Sequence, residues 1–206
     1  MSLIQDPKYS VVIDNGGQTD NIVIGFLPER FDLDITSDWD TPLAPGAANG
    51  YLGALVRFGL AEAGVSAINK YMTVALWSGV SPINVNIPIT FIADSPGESI
   101  TKVVKPIKNL MKMALPNDLT NGFLQPPGPK PDGGYASEKL GITGGENITV
   151  RIGEFISFYK VIIQSVSPSF DMILDSRGIP MRASVNLRFR TYNSPTKQEL
   201  DTMFRV

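Results

Sequence analysis

The sequence predicts an α+β fold: a β-sandwich or open barrel with one flanking helix and long loops. Three observations lead there. Several runs alternate apolar and polar residues with the period of two that a half-buried strand requires. One internal segment places apolar residues at helical spacing instead. The 206 residues include 19 glycines and 16 prolines, well above the average combined usage of about 12%, so the chain is broken into short elements and a helical bundle is disfavoured. With 43% hydrophobic residues, there is ample material for the core of a single domain over residues 1–206.

Taken in order, Val11-Val12-Ile13 reads as a strand ending at the turn signal Asp14-Asn15-Gly16-Gly17. Asn21 to Phe26 is a second apolar run, and Phe31, Leu33 and Ile35 alternate with Asp32, Asp34 and Thr36. Residues 42–70 form a Gly-rich insert in which Leu52, Leu55, Val56, Leu60 and Ala63 have helical spacing. Its glycines each cost about 1 kcal/mol in a helix relative to alanine, so either a short packed helix or a structured loop satisfies the pattern. Met72–Trp77 and Val85–Ala93 read as strands joined through Ser78-Gly79-Val80-Ser81-Pro82, a connection of hairpin length. Pro88 interrupts the second run and predicts an edge strand or a bulge, because proline cannot donate to a ladder.

The strongest helix pattern is Val103, Val104, Ile107, Leu110, Met111, Ala114 and Leu115, with Ser99 as its expected N-cap. Pro106 falls either in the first turn or at a kink. A Pro/Gly-rich arm spans about 117–147, extended by Pro126-Pro127-Gly128-Pro129 and expected to be ordered by a neighbouring subunit. The last third is strand-rich. Ile148, Val150 and Ile152 alternate, Tyr159–Val166 is apolar, and Phe170–Leu174 leads into the turn Asp175–Gly178. Met181, Ala183, Val185, Leu187 and Phe189 then alternate with Arg182, Ser184, Asn186, Arg188 and Arg190. Thr196 and Glu199 after Pro195 form a capping-box pattern for a short C-terminal helix.

The chain has no cysteine and no histidine. Disulfides, thiolate metal sites, Ser-His-Asp and Cys-His catalysis are therefore excluded. A formal net charge of −2 gives no bulk nucleic-acid footprint, and no run of 18 apolar residues suggests a membrane span. Charged residues make up 18%, below the usual 25% or so, which suits a surface covered by partners.

Asp32, Asp34, Asp38 and Asp40 are an acidic cluster whose first two members share a strand face, fit for a divalent cation or for plain solvation. Gly144-Gly145-Glu146-Asn147 precedes a strand rather than a helix and reads as a turn, not a phosphate cradle. Arg182, Arg188 and Arg190, with Arg151 on a neighbouring strand, form a basic stripe. It reads as an intersubunit seam, a phosphate contact or an ordinary exposed face. As a seam it takes Asp32 or Asp34 of the next copy as acidic partners, and the Pro88 edge is a pairing site. Trp39 and Trp77 read as core or interface aromatics, or as the platform of a carbohydrate-binding β-sandwich.

Trp77-Ser78-Gly79 with Ser81-Pro82, Ile87-Pro88-Ile89-Thr90-Phe91-Ile92-Ala93, the helix to Leu115-Pro116, the Pro126–Pro129 loop, Gly145-Glu146-Asn147-Ile148 and Asp175-x-x-Gly178-Ile179-Pro180 together resemble baseplate tube proteins of contractile-tail bacteriophages. The resemblance covers roughly residues 70–192 and is carried by structural motifs. It implies a tail-tube-like fold of two packed sheets with a flanking helix. It further implies a homo-hexameric ring lining a channel between the central hub and the first tail-tube ring, seeding tube polymerisation in the virion after synthesis in the host bacterial cytoplasm. The implied partners are the hub and tube rings and the tape-measure protein in the lumen, with DNA passing through and no membrane. No enzymatic activity and no cofactor are implied. No peptidoglycan-binding LysM repeat accompanies the match.

Overall fold

The computed structural model describes residues 7–16, 22–40, 75–118, 122, 124–129 and 147–205. The helical pattern in the Gly-rich insert, the middle of the Pro/Gly arm and the Gly144–Glu146 turn lie outside the described residues. The chain divides into two compact units, Met1–Asp34 with Pro82–Val206, and Ile35–Ser81.

The larger unit is built on strands β1 (Ser10–Asp14), β2 (Val23–Phe26) and β3 (Asp32–Asp34). The smaller contributes β4 (Ser37–Asp40) and β5 (Leu76–Val80). The larger unit continues with β6 (Asn84–Ile92), the short β7 (Asn117–Asp118) and β8 (Leu124–Gln125), β9 (Ile148–Ile152), β10 (Ile156–Phe170) and β11 (Arg182–Thr191). Two α-helices are present among the described residues, α1 (Lys105–Met113) and α2 (Lys197–Met203).

The main sheet runs β11-β10-β9-β1-β2-β6-β3, and β11 also pairs with β6. The β6–β11 ladder closes β6, β11, β10, β9, β1 and β2 into a six-stranded antiparallel barrel, with β3 added on the outside of β6. The fold is thus a β-rich α+β fold, and the barrel is closed where an open one or a sandwich was expected. Closure follows from β11. Its alternation is strict, buried at Ala183, Val185, Leu187, Phe189 and Thr191, and it offers a full ladder on both sides.

The barrel interior takes one face of every strand, including Val11, Ile13, Ile87, Ile89, Phe91, Val150, Phe158 and Leu187. Phe158 and Phe189 meet edge to face, 5.4 Å between centroids and 70° between planes. Gly25 faces this core where a Cβ would collide with the Ile89 side chain and press on Phe91, so β2 has glycine at its closest approach to β6. α1 touches β2 and β10, which stand opposite each other in the barrel order. It therefore spans the barrel's mouth and buries Ile107, Leu110 and Met113 there. Pro106 sits in its first turn as expected, after a π-helical turn over Ile100–Val104. The Ser99 cap is not realised. Ser99 is helical and buried, and its hydroxyl donates back to the Pro96 carbonyl instead. Thr196 and Glu199 do form the capping box of α2.

Two pairings differ from the sequence reading. The expected hairpin across Ser78–Pro82 does not form. Leu76–Val80 pairs with Ser37–Asp40, while β6 pairs with β11. Ser78 and Gly79 are strand residues, so the turn dipeptide was overridden by ladder pairing. Pro88 is neither at a simple edge nor in a bulge, because β6 is paired along its length with β11. The Ala93 N–H donates to Met181 and the Ile83 carbonyl accepts from Thr191, so odd residues of β6 bond to β11 and even residues face the other side. On that side β3 pairs up to Asn86 and β2 pairs at Thr90. Pro88 lies between them, at the position where no ladder donor is needed.

Candidate functional site

The sequence-derived candidates fall on the outer wall of the barrel. Register places Asp32 opposite Asn86, and Asn86 opposite Arg188; one step along, Asp34, Asn84 and Arg190 form a second row. Even-numbered side chains of β6 and β11 point outward, because their odd neighbours fill the core. Asp32 and Arg188 stand two strands apart, about 10 Å between backbones.

Asp32, Asp34, Asn84, Asn86, Gln164 and Arg188 line a pocket of about 250 Å³. One chain thus brings together Asp32, Asp34 and Arg188, which the sequence reading had placed on neighbouring copies. Two carboxylates face one guanidinium, and no ion pair within 4 Å joins them among the described residues. The Asn86 Oδ1 atom is buried and has no hydrogen-bond partner, an arrangement that costs about 1–3 kcal/mol when left unmet.

The remaining basic residues separate. Arg182 pairs with Asp171 at 3.4 Å within its own hairpin. Arg190 is exposed and does not line the pocket. Arg151 lies on β9, separated from β11 by β10. Pro88 is exposed on the same wall. Asp38 stands on β4 in the other unit.

Sequence reasoning missed the amide side chains. Asn84 and Asn86 carried a legible signal, as polar residues on the outward positions of an otherwise apolar strand. Gln164 carried none: it falls where the β10 register shifts between Ile163 and Ser165, and such a bulge re-aims a side chain that alternation would place elsewhere.

A second surface is the tip of the β10–β11 hairpin. Asp175 is fully buried as a side chain. It accepts from the N–H groups of Arg177 and Ile179 and from the Arg177 guanidinium at 2.8 Å. Arg177 also donates to the Pro96 carbonyl at 2.7 Å, tying the tip to the turn before the helix. Burial by itself would raise the Asp175 pKa. The Ile179 N–H and the Arg177 guanidinium and N–H outweigh it and hold the group at about 2. This polar knot fixes a loop whose apolar side chains face solvent: Met172 is 89%, Ile173 61% and Leu174 49% exposed.

In the smaller unit Trp39 and Trp77 pair directly across β4 and β5, each 60% exposed. Of the two expected roles, core or interface, the core role is not met: both are largely exposed, and among the described residues no second layer stands over the β4–β5 ribbon.

No protein-family model matches this chain, and no curated protein matches it. Among the described residues no helix is long and apolar enough to cross a membrane, and no group of three or more acidic residues is arranged to hold a metal ion.

Proposed function

We propose that this chain is a structural ring subunit of a contractile-phage tail baseplate, a hexamer that joins the central hub to the tail tube and seeds tube polymerisation. Within this reading the tape-measure protein and DNA occupy the lumen, the location is the virion, and the chain does no catalysis. The observation that carries it is the hairpin tip. A stretch as apolar as Met172-Ile173-Leu174 is held in place by the bonds of one buried carboxylate and left uncovered. A lone soluble domain seldom keeps such a patch without a partner for it, and preorganisation lowers the ordering cost of docking. The resemblance of residues 70–192 to baseplate tube proteins supplies the partner class. Electron microscopy and sedimentation of the purified protein, alone and with hub and tube proteins, test this. Six-fold rings or tube initiation are expected; a monomer that engages neither partner would sink it.

The exposed Trp39–Trp77 pair supports a second reading, a carbohydrate-binding module, since two uncovered indoles side by side suit sugar stacking. A glycan-array screen separates the two: binding lost in Trp77→Ala favours this reading, and no binding removes it.

A further inference from the structure

We infer that Pro168 guards an open strand edge on β10, and that it keeps this edge from pairing with the same edge of a second copy. The inference does not rest on the ring reading.

The edge follows from the unequal lengths of the strands. β9 pairs with β10 only over Ile156–Val161, whereas β11 pairs with it as far as Phe170. Beyond Val161, among the described residues, no strand lies on the β9 side of β10. Hydrogen-bond parity then says which backbone groups are left over. The Asp171 N–H donates to the Arg182 carbonyl, so Ser165, Ser167 and Ser169 bond to β11, and Val166, Pro168 and Phe170 turn their backbone to the open side. Of the three ladder donors due there, proline deletes the middle one. The remaining two, Val166 and Phe170, stand about 13 Å apart along the strand, and the pyrrolidine ring occupies the space between them that an incoming carbonyl would enter. Two such edges meeting antiparallel around residue 168 set proline against proline.

The sequence around it shows why a guard is needed. Val161 to Phe170 holds no charged residue and is rich in β-branched and aromatic side chains, the composition that pairs between chains when an edge exposes it. Edges of this kind are commonly blunted by a charge, a bulge or a proline. Here the charge is missing. The bulge is present between Ile163 and Ser165, where the open stretch begins, and Pro168 stands in the remainder. Pro88 obeys the same rule on β6. Its missing donor faces the gap between the β3 pairing, which ends at Asn86, and the β2 pairing at Thr90. Both prolines thus fall where a neighbouring strand gives out.

Residue-resolved amide exchange and sedimentation of the full-length protein test this. In the wild type the Val166 and Phe170 amides should exchange fast at every protein concentration, while those of Ser165, Ser167 and Ser169 are protected by β11. Pro168→Thr restores the donor and raises β preference. Each regained bond strengthens association about fivefold, so a pair of edges should associate about twenty-five-fold more tightly. Protection at Val166 and Phe170 should rise with concentration in that variant. Ser167→Thr is the control: it adds the same side chain on the same strand, but its N–H already faces β11, so association should not change. Pro168→Ala repeats the test without a β-branched side chain, and circular dichroism checks the fold of each variant. Folded Pro168 variants that associate no more than Ser167→Thr overturn the guard. Wild-type protection at Val166 and Phe170, constant or rising with concentration, overturns it too, because the edge is then already paired. Loss of the fold in both Pro168 variants would make the proline a requirement of the hairpin itself and equally remove the guard role.

Discussion

The barrel wall and the tip of the β10–β11 hairpin are both ordered, by opposite means. In the wall, alternate side chains of β6 and β11 disappear into a shared core, and hydrophobic burial supplies the stability. At the tip there is little core to enter. Order comes from one buried carboxylate, the Arg177 fork and the Pro96 carbonyl, and the apolar side chains stay outside. Burial consumes apolar surface on folding; a polar knot leaves it free for a partner.

The largest effect that sharpens this contrast belongs to the wall. Phe158→Ala removes the fully buried partner of Phe189 and should cost about 3–5 kcal/mol in denaturant unfolding. Gly25→Ala forces a methyl into Ile89 and should cost about 1–3 kcal/mol in the same measurement. The tip should respond to acid instead. The folded Asp175 pKa is depressed from 3.8 to about 2, so its contribution is present above the unfolded value and is lost as pH falls from about 4 toward 2. Amide exchange at Asp171–Met181 should quicken across that window while the barrel amides stay protected. If both regions loosen together, the knot is not an independent source of order.

Lys160 is a non-glycine residue with φ of 53°, inside the β10 irregularity between Phe158 and Val161. Lys160→Gly relieves that strain and should raise stability by up to about 1 kcal/mol. The smallest thermodynamic change should come from Met172→Ser with Ile173→Ser. Both side chains are already in water, so the monomer should shift by less than about 0.5 kcal/mol, while ring or tube assembly falls sharply. A large loss of monomer stability would mean the tip is part of the core.

Much of the barrel was legible because its strands obey a local period. The alternation at Ile148, Val150 and Ile152, and the longer one through Met181–Phe189, need only neighbouring residues to be read, and the same holds for the α2 capping box. Phe31, Leu33 and Ile35 show the limit. The alternation predicts a half-buried strand; Phe31 does pack partly against the core, but Leu33 and Ile35 are exposed, and among the described residues β3 pairs only with β6. The same pattern that marks a core face also marks a surface awaiting cover.

Pairing was another matter. Which strand Leu76–Val80 joins, and that Pro88 meets the gap between β3 and β2, depend on segments dozens of residues away. The candidate pocket is of this kind. Asp32, Asp34 and Arg188 were visible as charged residues on alternating runs, but their meeting in one chain required β3 to dock on β6 and β6 to close onto β11. Gln164 joined them through a register shift. The sequence alone determined which faces are apolar and which segments turn or cap, because those follow from the period of two or 3.6 and from local backbone preference. Only the tertiary structure decided barrel closure, strand partners and the grouping of polar side chains, because these are set by contacts between residues that local pattern does not relate.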